Sequence, residues 1–398
     1  MKILVLTSIY PYEEKKEGYT PVVHYITKEW VKMGHDVRVV HNKTGFPKIL
    51  FKIPKPVITK FENKLGFIFP TREMMTESKF VLDGVKVSRF LIRKVIPFIP
   101  YSYSSLNILF ERIKNLNSSE NFVPDVIACH FSDPQIPLGI MLKDFYKVGL
   151  SMVLHDIGKN LLRYSNEEIK RFDSIGFRSI PIKNAFYENY SFSNRTFMCY
   201  SGISENSIGS PKKFQDYLKK FLFAGVLTKR KNVDSIIGLI NNIKSEVQNV
   251  HLKVLGDGPE MNDLQLLKKK YNLSKEVTFE GYVSRDQVLE EMSLSECFIM
   301  ISNDEVFGLV YIEALAKGCI VIAGRGEGME GIIIDGYNGY LCKPGDTAEL
   351  ISIINKINEL SRIEKEAISR KAIETAKNLT EFKVAETYLQ NLRNNRHE

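Results

Sequence analysis

The sequence predicts an α/β protein built from two successive doubly wound domains, each a mostly parallel sheet with helices on both faces. Three observations carry this expectation. A chain of 398 residues is longer than a single hydrophobic core usually fills. Short apolar runs alternate with stretches of helical period almost throughout, as expected of strands buried on both faces. The alternation then restarts near Ser210-Pro211-Lys212, which places a boundary at about 205–215 and domains at 1–210 and 211–378.

The elements follow in order. Residues 2–7 read as a buried first strand; the apolar N-terminus is too short for a secretory signal and lacks a small-residue cleavage site. Thr20-Pro21 offers an N-cap followed by proline at the first helical position. Val22, Ile26, Trp30 and Met33 continue at helical spacing, and Gly34 ends the helix. Residues 37–41 form the second strand. From 42 to about 103 the pattern breaks, with five prolines between Pro47 and Pro97, and this stretch reads as an irregular basic and aromatic insertion. Strands return at 126–130, 152–155 and 196–201. After the boundary, strands are expected at 221–227, 251–255, 277–281, 297–302 and 320–323. Ser284 and Gln287 form a capping box for a helix at about 285–292. The tail from about 348 to 395 reads as helices, and the last one, within 379–398, is long enough to pack back towards the first domain.

Composition narrows the class. Residues 1–210 hold 29 Lys and Arg against 20 Asp and Glu, whereas residues 211–398 hold 26 against 27. The first half is therefore basic and the second neutral, which points to an anionic partner for the first. The five cysteines are scattered with no C-x-x-C pair, so neither a disulfide framework nor a zinc knuckle is indicated and a reduced cytoplasmic setting is expected. No run of about 18 apolar residues suggests a spanning helix.

The strongest chemical signal runs from Ser302 to Gly318. It follows a strand and opens a helix, whose first turn offers unpaired N–H groups and a positive dipole end suited to a diphosphate. Gly308 lets a ligand approach the backbone, and the carboxylates of Glu305 and Glu313 accept hydrogen bonds from sugar or ribose hydroxyls. Glu305 and Glu313 stand in the spacing Glu-x7-Glu. The string resembles that signature in retaining glycosyltransferases of family 4, which have the GT-B fold; residues 318–323 and 335–341 continue the similarity. The resemblance implies two Rossmann-like domains facing a central cleft. It implies that Glu305 contacts the donor sugar, that Glu313 contacts the ribose, and that Phe307, Gly308, Leu309 and Val310 present backbone groups to sugar and phosphates.

Other motifs extend the donor site. After the strand ending at Gly225 come Lys229, Arg230 and Lys231, cations placed to hold a diphosphate leaving group. The family pattern has an Arg directly after this glycine and a Lys five residues later. Lys231 matches the Lys, but Val226 replaces the Arg, so Arg230 is the candidate substitute. Gly256 and Gly258 resemble the family's Gly-x-Gly turn approaching the base, and Val283, after Gly281 and Tyr282, lies in a stretch that resembles the family segment contacting it. In the first half, His155 resembles the family's active-site histidine, and a histidine handles protons near neutral pH. His130 is expected on the acceptor side, as is Gly18, although the family commonly has two adjacent glycines where this chain has Glu17-Gly18.

There is no Asp-x-Asp motif, so a metal-independent reaction with no cofactor is expected. The implied catalytic residues are His155, Lys231 and Glu305. The implied activity is transfer of a hexose-type sugar from a nucleoside-diphosphate sugar to a saccharide or lipid-linked acceptor, with retention, in cell-surface polysaccharide synthesis. No nucleic-acid partner is indicated. Residues 42–70 hold six lysines and one acid among Phe, Ile and Leu, a mix that binds an anionic membrane surface or packs as an insertion. The first reading places the enzyme peripherally at the inner face of the cell membrane. Two other functions remain open: a nucleotide-sugar epimerase of similar architecture, and a non-catalytic nucleotide-sugar-binding subunit.

Overall fold

The structure, a computed structural model, describes residues 1–11, 21–45, 76–93 and 100–394. The chain divides into two compact units. The first comprises Met1–Phe177, Phe186–Cys199 and Ala385–Glu398; the second comprises Arg178–Ala185 and Tyr200–Val384.

The first unit holds strands β1 (Lys2–Thr7), β2 (Asp36–Gly45), β3 (Ser78–Leu82), β4 (Val85–Arg93), β5 (Val126–His130), β6 (Gly149–Leu154), β7 (Ser174–Phe177) and β8 (Arg195–Met198). They form one sheet in the order β3-β4-β2-β1-β5-β6-β7-β8, parallel except for the β3–β4 pair. Its connections carry α1 (Val22–Lys32), α2 (Tyr103–Ser119), α3 (Gln135–Tyr146), α4 (Asn166–Ile169) and α5 (Ile180–Asn189). The central strands are buried along nearly their whole length, including Ile3, Leu4, Val5, Ile127, Ala128 and Val153. That is why they read as continuous apolar runs.

The second unit holds β9 (Lys220–Ala224), β10 (His251–Leu255), β11 (Val277–Gly281), β12 (Cys297–Met300), β13 (Ile320–Gly324) and β14 (Tyr340–Cys342). These are parallel, in the order β11-β10-β9-β12-β13-β14. Around them stand α6 (Val233–Ile243), α7 (Met261–Lys270), α8 (Arg285–Leu294), α9 (Leu309–Ala316), α10 (Thr347–Glu359) and α11 (Arg362–Lys377). The capping box at the start of α8 is present, Ser284 and Gln287 bonding reciprocally. The last helix is α12 (Glu381–Arg393). From Ala385 onward it groups with the first unit, where Trp30 Nε1 donates to the Ala385 carbonyl at 2.8 Å and the Trp30 and Tyr388 rings lie 5.0 Å apart.

Several details depart from the sequence reading. The stretch read as irregular from 42 contains the β3–β4 hairpin. Its turn, Asp83-Gly84, has φ of +48° and +81°, the conformation for which Asp-Gly is the preferred pair. The surrounding prolines and lysines mask this signal. The strands at 152–155, 221–227 and 297–302 end earlier than expected, at Leu154, Ala224 and Met300, so the residues that follow belong to loops. The division falls at Cys199–Tyr200, with an excursion at Arg178–Ala185, whereas the sequence places the boundary at about 205–215. The reason is a non-local pairing. Ile203 N donates to Leu379 O at 3.0 Å and Glu381 N to Ile203 O at 2.8 Å, binding the connector to a distant part of the second unit. Among the described residues no helix is long and apolar enough to cross a membrane.

Candidate active site

The strand order of the second unit reverses between β9 and β12. β10 and β11 extend one way from β9, and β13 and β14 extend the other way from β12. Ligands of open α/β sheets sit outside the carboxyl ends of the strands at such a switch point. The loops leaving β9 and β12 span residues 225–232 and 301–308. They are tied together by Asn232, in the left-handed region at φ +51°. Its Nδ2 donates to Ile301 O at 2.7 Å and to Asn303 Oδ1 at 2.8 Å, and Asn303 N donates to Arg230 O at 2.8 Å.

Lys231 and Glu305 meet at this junction. Lys231 Nζ lies 2.5 Å from Glu305 Oε2, and Arg230 Nη1 reaches the same oxygen at 3.4 Å. Burial pushes the Lys231 ammonium below its ordinary pKa, and Glu305 pulls it back up. Arg230 also donates to the carbonyls of Asn303 and Asp304, each at 3.4 Å, while Val226 stands 61% exposed. The second glutamate repeats the arrangement. Glu313, buried in α9, accepts a hydrogen bond from Arg285 Nε on Oε1 at 2.7 Å, and Arg285 Nη2 lies 2.7 Å from the same oxygen as an ion pair. Burial pushes its carboxyl above the ordinary range, and Arg285 opposes the rise. Among the described residues no hydrogen bond occupies Glu305 Oε1 or Glu313 Oε2. Each carboxylate is held by a cation through one oxygen and keeps the other as an acceptor.

Gly308 begins α9 at φ +72°, and a Cβ there would stand 2.5 Å from the Tyr311 ring. Only glycine fits this entry to the helix. Phe307 is buried, its ring stacked 5.7 Å from Tyr200 and 5.1 Å from the Arg178 guanidinium. Its side chain serves packing, which leaves its backbone for the site. Leu309 and Val310 are half-buried in the first helical turn. Gly256 and Gly258 have a structural explanation of their own. Cβ atoms there would stand 2.0 Å from Gly225 O and 2.4 Å from Leu227 O. The 256–258 turn lies directly against the loop after β9, with Leu227 N donating to Asp257 O at 2.9 Å. Val283 is half-buried beside the exposed Tyr282.

The first unit brings its two candidate histidines together. His130 ends β5 and His155 follows β6, with His130 Nδ1 3.3 Å from His155 Nε2. The Phe131 ring stacks on His155 at 3.9 Å, and Tyr388 meets His130 edge-on at 5.7 Å. His130 is fully buried and His155 half-buried. Gly18, and nearly all of the lysine-rich stretch from 42 to 70, lie outside the described residues. Among the described residues no group of three or more His, Cys, Asp or Glu side chains could hold a metal ion.

The glycosyl transferases group 1 family model matches residues 207–378, which contain the Lys231–Glu305 and Arg285–Glu313 pairs. An uncharacterized glycosyltransferase of Methanocaldococcus jannaschii is 30% identical over 255 residues, 61% of this chain and 68% of that protein. The chain belongs to the group 1 glycosyltransferases. A further relative, the N-acetyl-alpha-D-glucosaminyl L-malate synthase of Bacillus anthracis, is 26% identical across 87% of this glycosyltransferase and 85% of its own length. Among solved structures, Anabaena Alr3699/HepE in complex with UDP superposes with a TM-score of 0.68, 18% identity, and coverage of 99% and 100% of the two chains. That likeness establishes the GT-B fold.

Sequence reasoning missed two charged residues of this glycosyltransferase. Arg285 stands at the first position of α8, where the helix dipole disfavours a cation, so an arginine there signals a carboxylate partner nearby. Glu327 accepts the Glu305 N–H at 2.7 Å. Its signal is the Gly-rich run Gly324-Arg-Gly-Glu-Gly328 directly after a strand, where a turn can press against its neighbour.

Proposed function

We propose that this glycosyltransferase moves a hexose-type sugar from a nucleoside-diphosphate sugar to a saccharide or lipid-linked acceptor, with retention of configuration and without a metal. The observation that carries the reading is the convergence of Lys231 and Glu305 at the switch point of the second sheet, beside the start of α9. In this reading Lys231, with Arg230 beside it, takes the charge that develops on the diphosphate leaving group. The first-turn N–H groups of α9 receive the phosphates, with Gly308 leaving their approach open. Glu305 Oε1 accepts a sugar hydroxyl and Glu313 Oε2 a ribose hydroxyl. In the first unit, His155 takes the proton-handling role and His130 the acceptor side.

The UDP bound by the Anabaena neighbour supports a nucleoside diphosphate as the common part of the donor. The Bacillus relative suggests a second reading for the acceptor, a small hydroxy acid, because that relative aligns along 87% of this chain. Weak, salt-sensitive binding to an anionic membrane surface through the lysines between 42 and 70 completes the first reading.

The test is a thermal-shift screen with UDP-glucose, UDP-galactose, UDP-N-acetylglucosamine and GDP-mannose, since a ligand that binds only the folded state raises its melting temperature. At least one donor should stabilise the protein and be turned over slowly to the nucleoside diphosphate. No shift and no turnover with any of them would remove the donor assignment. Release of an epimerised free sugar would favour the epimerase. Mass spectrometry of products formed with L-malate or with a polyprenyl-linked saccharide separates the two acceptor classes.

A further inference from the structure

The geometry points to Glu327 as the positioning residue that holds the Glu305 loop in its donor-binding conformation; this rests on the donor role proposed for Glu305. Glu327 belongs to the turn that follows β13, in the same unit as the loop it supports. Its Oε2 accepts the Glu305 N–H at 2.7 Å, and the Asp304 backbone bonds the same carboxylate. Asp304 lies in the left-handed region at φ +51°. Successive N–H groups around such a residue converge into a small concavity that favours an anion. Here a side chain of the protein itself fills it.

The turn is shaped for this contact. A Cβ at Gly324 would stand 2.7 Å from Ser302 O and 3.0 Å from Glu327 Cγ. A Cβ at Gly328 would stand 2.5 Å from Phe307 N and 2.6 Å from Val306 C. The turn therefore lies flush against both ends of the loop that carries Glu305, and Glu327 fastens its middle. Burial, with Asp304 and Glu305 close by, raises the Glu327 carboxyl above its ordinary range, and the two backbone bonds oppose the rise. Among the described residues this carboxylate, placed beside two others, makes no ion pair, so hydrogen bonding to the loop is what its position accomplishes. Lys231 and Arg230 hold the Glu305 carboxylate from one side while Glu327 holds its backbone from the other.

The test combines a double-mutant cycle with a conservative rescue, using the full chain and UDP-glucose, or whichever donor of the panel above stabilises it most. Glu327→Ala should lower donor turnover by about 10-fold or more, because a small misplacement of a reacting-site group has effects of that size. UDP alone should bind within about threefold of wild type, since it lacks the sugar that Glu305 is assigned to contact. Glu327→Gln keeps a carbonyl oxygen for the Glu305 N–H and should restore turnover to within about threefold. Glu305→Ala/Glu327→Ala should be no worse than Glu305→Ala alone, since residues acting through one another are not additive. If the alanine variant fails to fold, Glu327→Asp, one methylene shorter, takes its place in the same cycle. Turnover of Glu327→Ala within about twofold of wild type, additive losses in the double variant, or a glutamine variant as poor as alanine would each overturn the inference. A Glu305→Ala variant with unchanged turnover would instead overturn the donor-site reading itself, and this inference with it.

Discussion

Lys231 and Glu305 lie 74 positions apart in sequence, yet Nζ and Oε2 meet at 2.5 Å with their side chains 10% and 11% exposed. The contact joins the loops that leave two neighbouring strands, and it makes the proposed site an electrostatic unit. Lys231 is also in contact with Met300 Sδ at 3.4 Å, so the ammonium has little water around it.

A nearly buried pair is sensitive to loss of one partner, because the other is left as an uncompensated charge. Lys231→Ala should destabilise the protein by about 3–5 kcal/mol, and Lys231→Ala/Glu305→Ala should cost less than the two single changes added together. Urea unfolding measures this. A loss below about 1 kcal/mol would place the pair in the class of solvated surface contacts. Turnover of Lys231→Ala should fall by about 100-fold or more if the charge acts in the transition state.

Glu313→Gln separates binding from stability. Burial in the folded state raises the pKa of this carboxyl above its ordinary, unfolded-chain value. Between the unfolded and folded values the folded protein binds more protons, so this group's contribution to stability declines as pH rises through that window. Glutamine has no such slope. The variant should therefore gain stability relative to wild type as pH rises from about 4 to about 7, measured by urea unfolding at each pH. Donor affinity should weaken by about 1.5–3 kcal/mol in calorimetry, the range for a hydrogen bond to a charged group. Unchanged affinity would remove Glu313 from the donor site.

Arg230 is half-exposed and already directed at Glu305 Oε2, while Val226 presents no charge. Arg230→Ala should lower donor turnover by about 10-fold, well beyond an ordinary surface change. Val226→Arg should add little while Arg230 is present. If Val226→Arg raises activity and Arg230→Ala has no effect, Arg230 does not replace the cation missing at 226.

Turnover should persist in EDTA, because Lys231, Arg230 and the start of α9 are proposed to carry the leaving-group charge without an ion. Loss of activity in EDTA, restored by magnesium or manganese, would assign that charge to a metal instead.

Much of the architecture was legible because it depends on local pattern. Strands β5, β10 and β11 match the apolar runs read at 126–130, 251–255 and 277–281, since a strand buried on both faces writes its burial directly into consecutive residues. The capping box at Ser284 and the helix start after Gly308 were legible for the same reason, each being a matter of neighbouring backbone groups. The β3–β4 hairpin, β7 and β14 were not. Their apolar runs are short, diluted by polar residues or set among misleading neighbours.

By itself the sequence determined the two-domain α/β class, the strand-to-loop position of Glu305 and the placement of Glu313 inside a helix. Periodicity, capping and glycine chemistry act over a few residues, and a single chain displays them. Only the tertiary structure decided which charges meet. Lys231 reaches Glu305, Arg285 reaches Glu313 and Glu327 reaches the Glu305 backbone across 74, 28 and 22 positions. It also decided that Gly256 and Gly258 make room for the loop after β9 and that the chain changes unit at Cys199–Tyr200. Those outcomes depend on the order in which parallel strands assemble, which brings the loops of distant strands side by side and has no counterpart in local spacing.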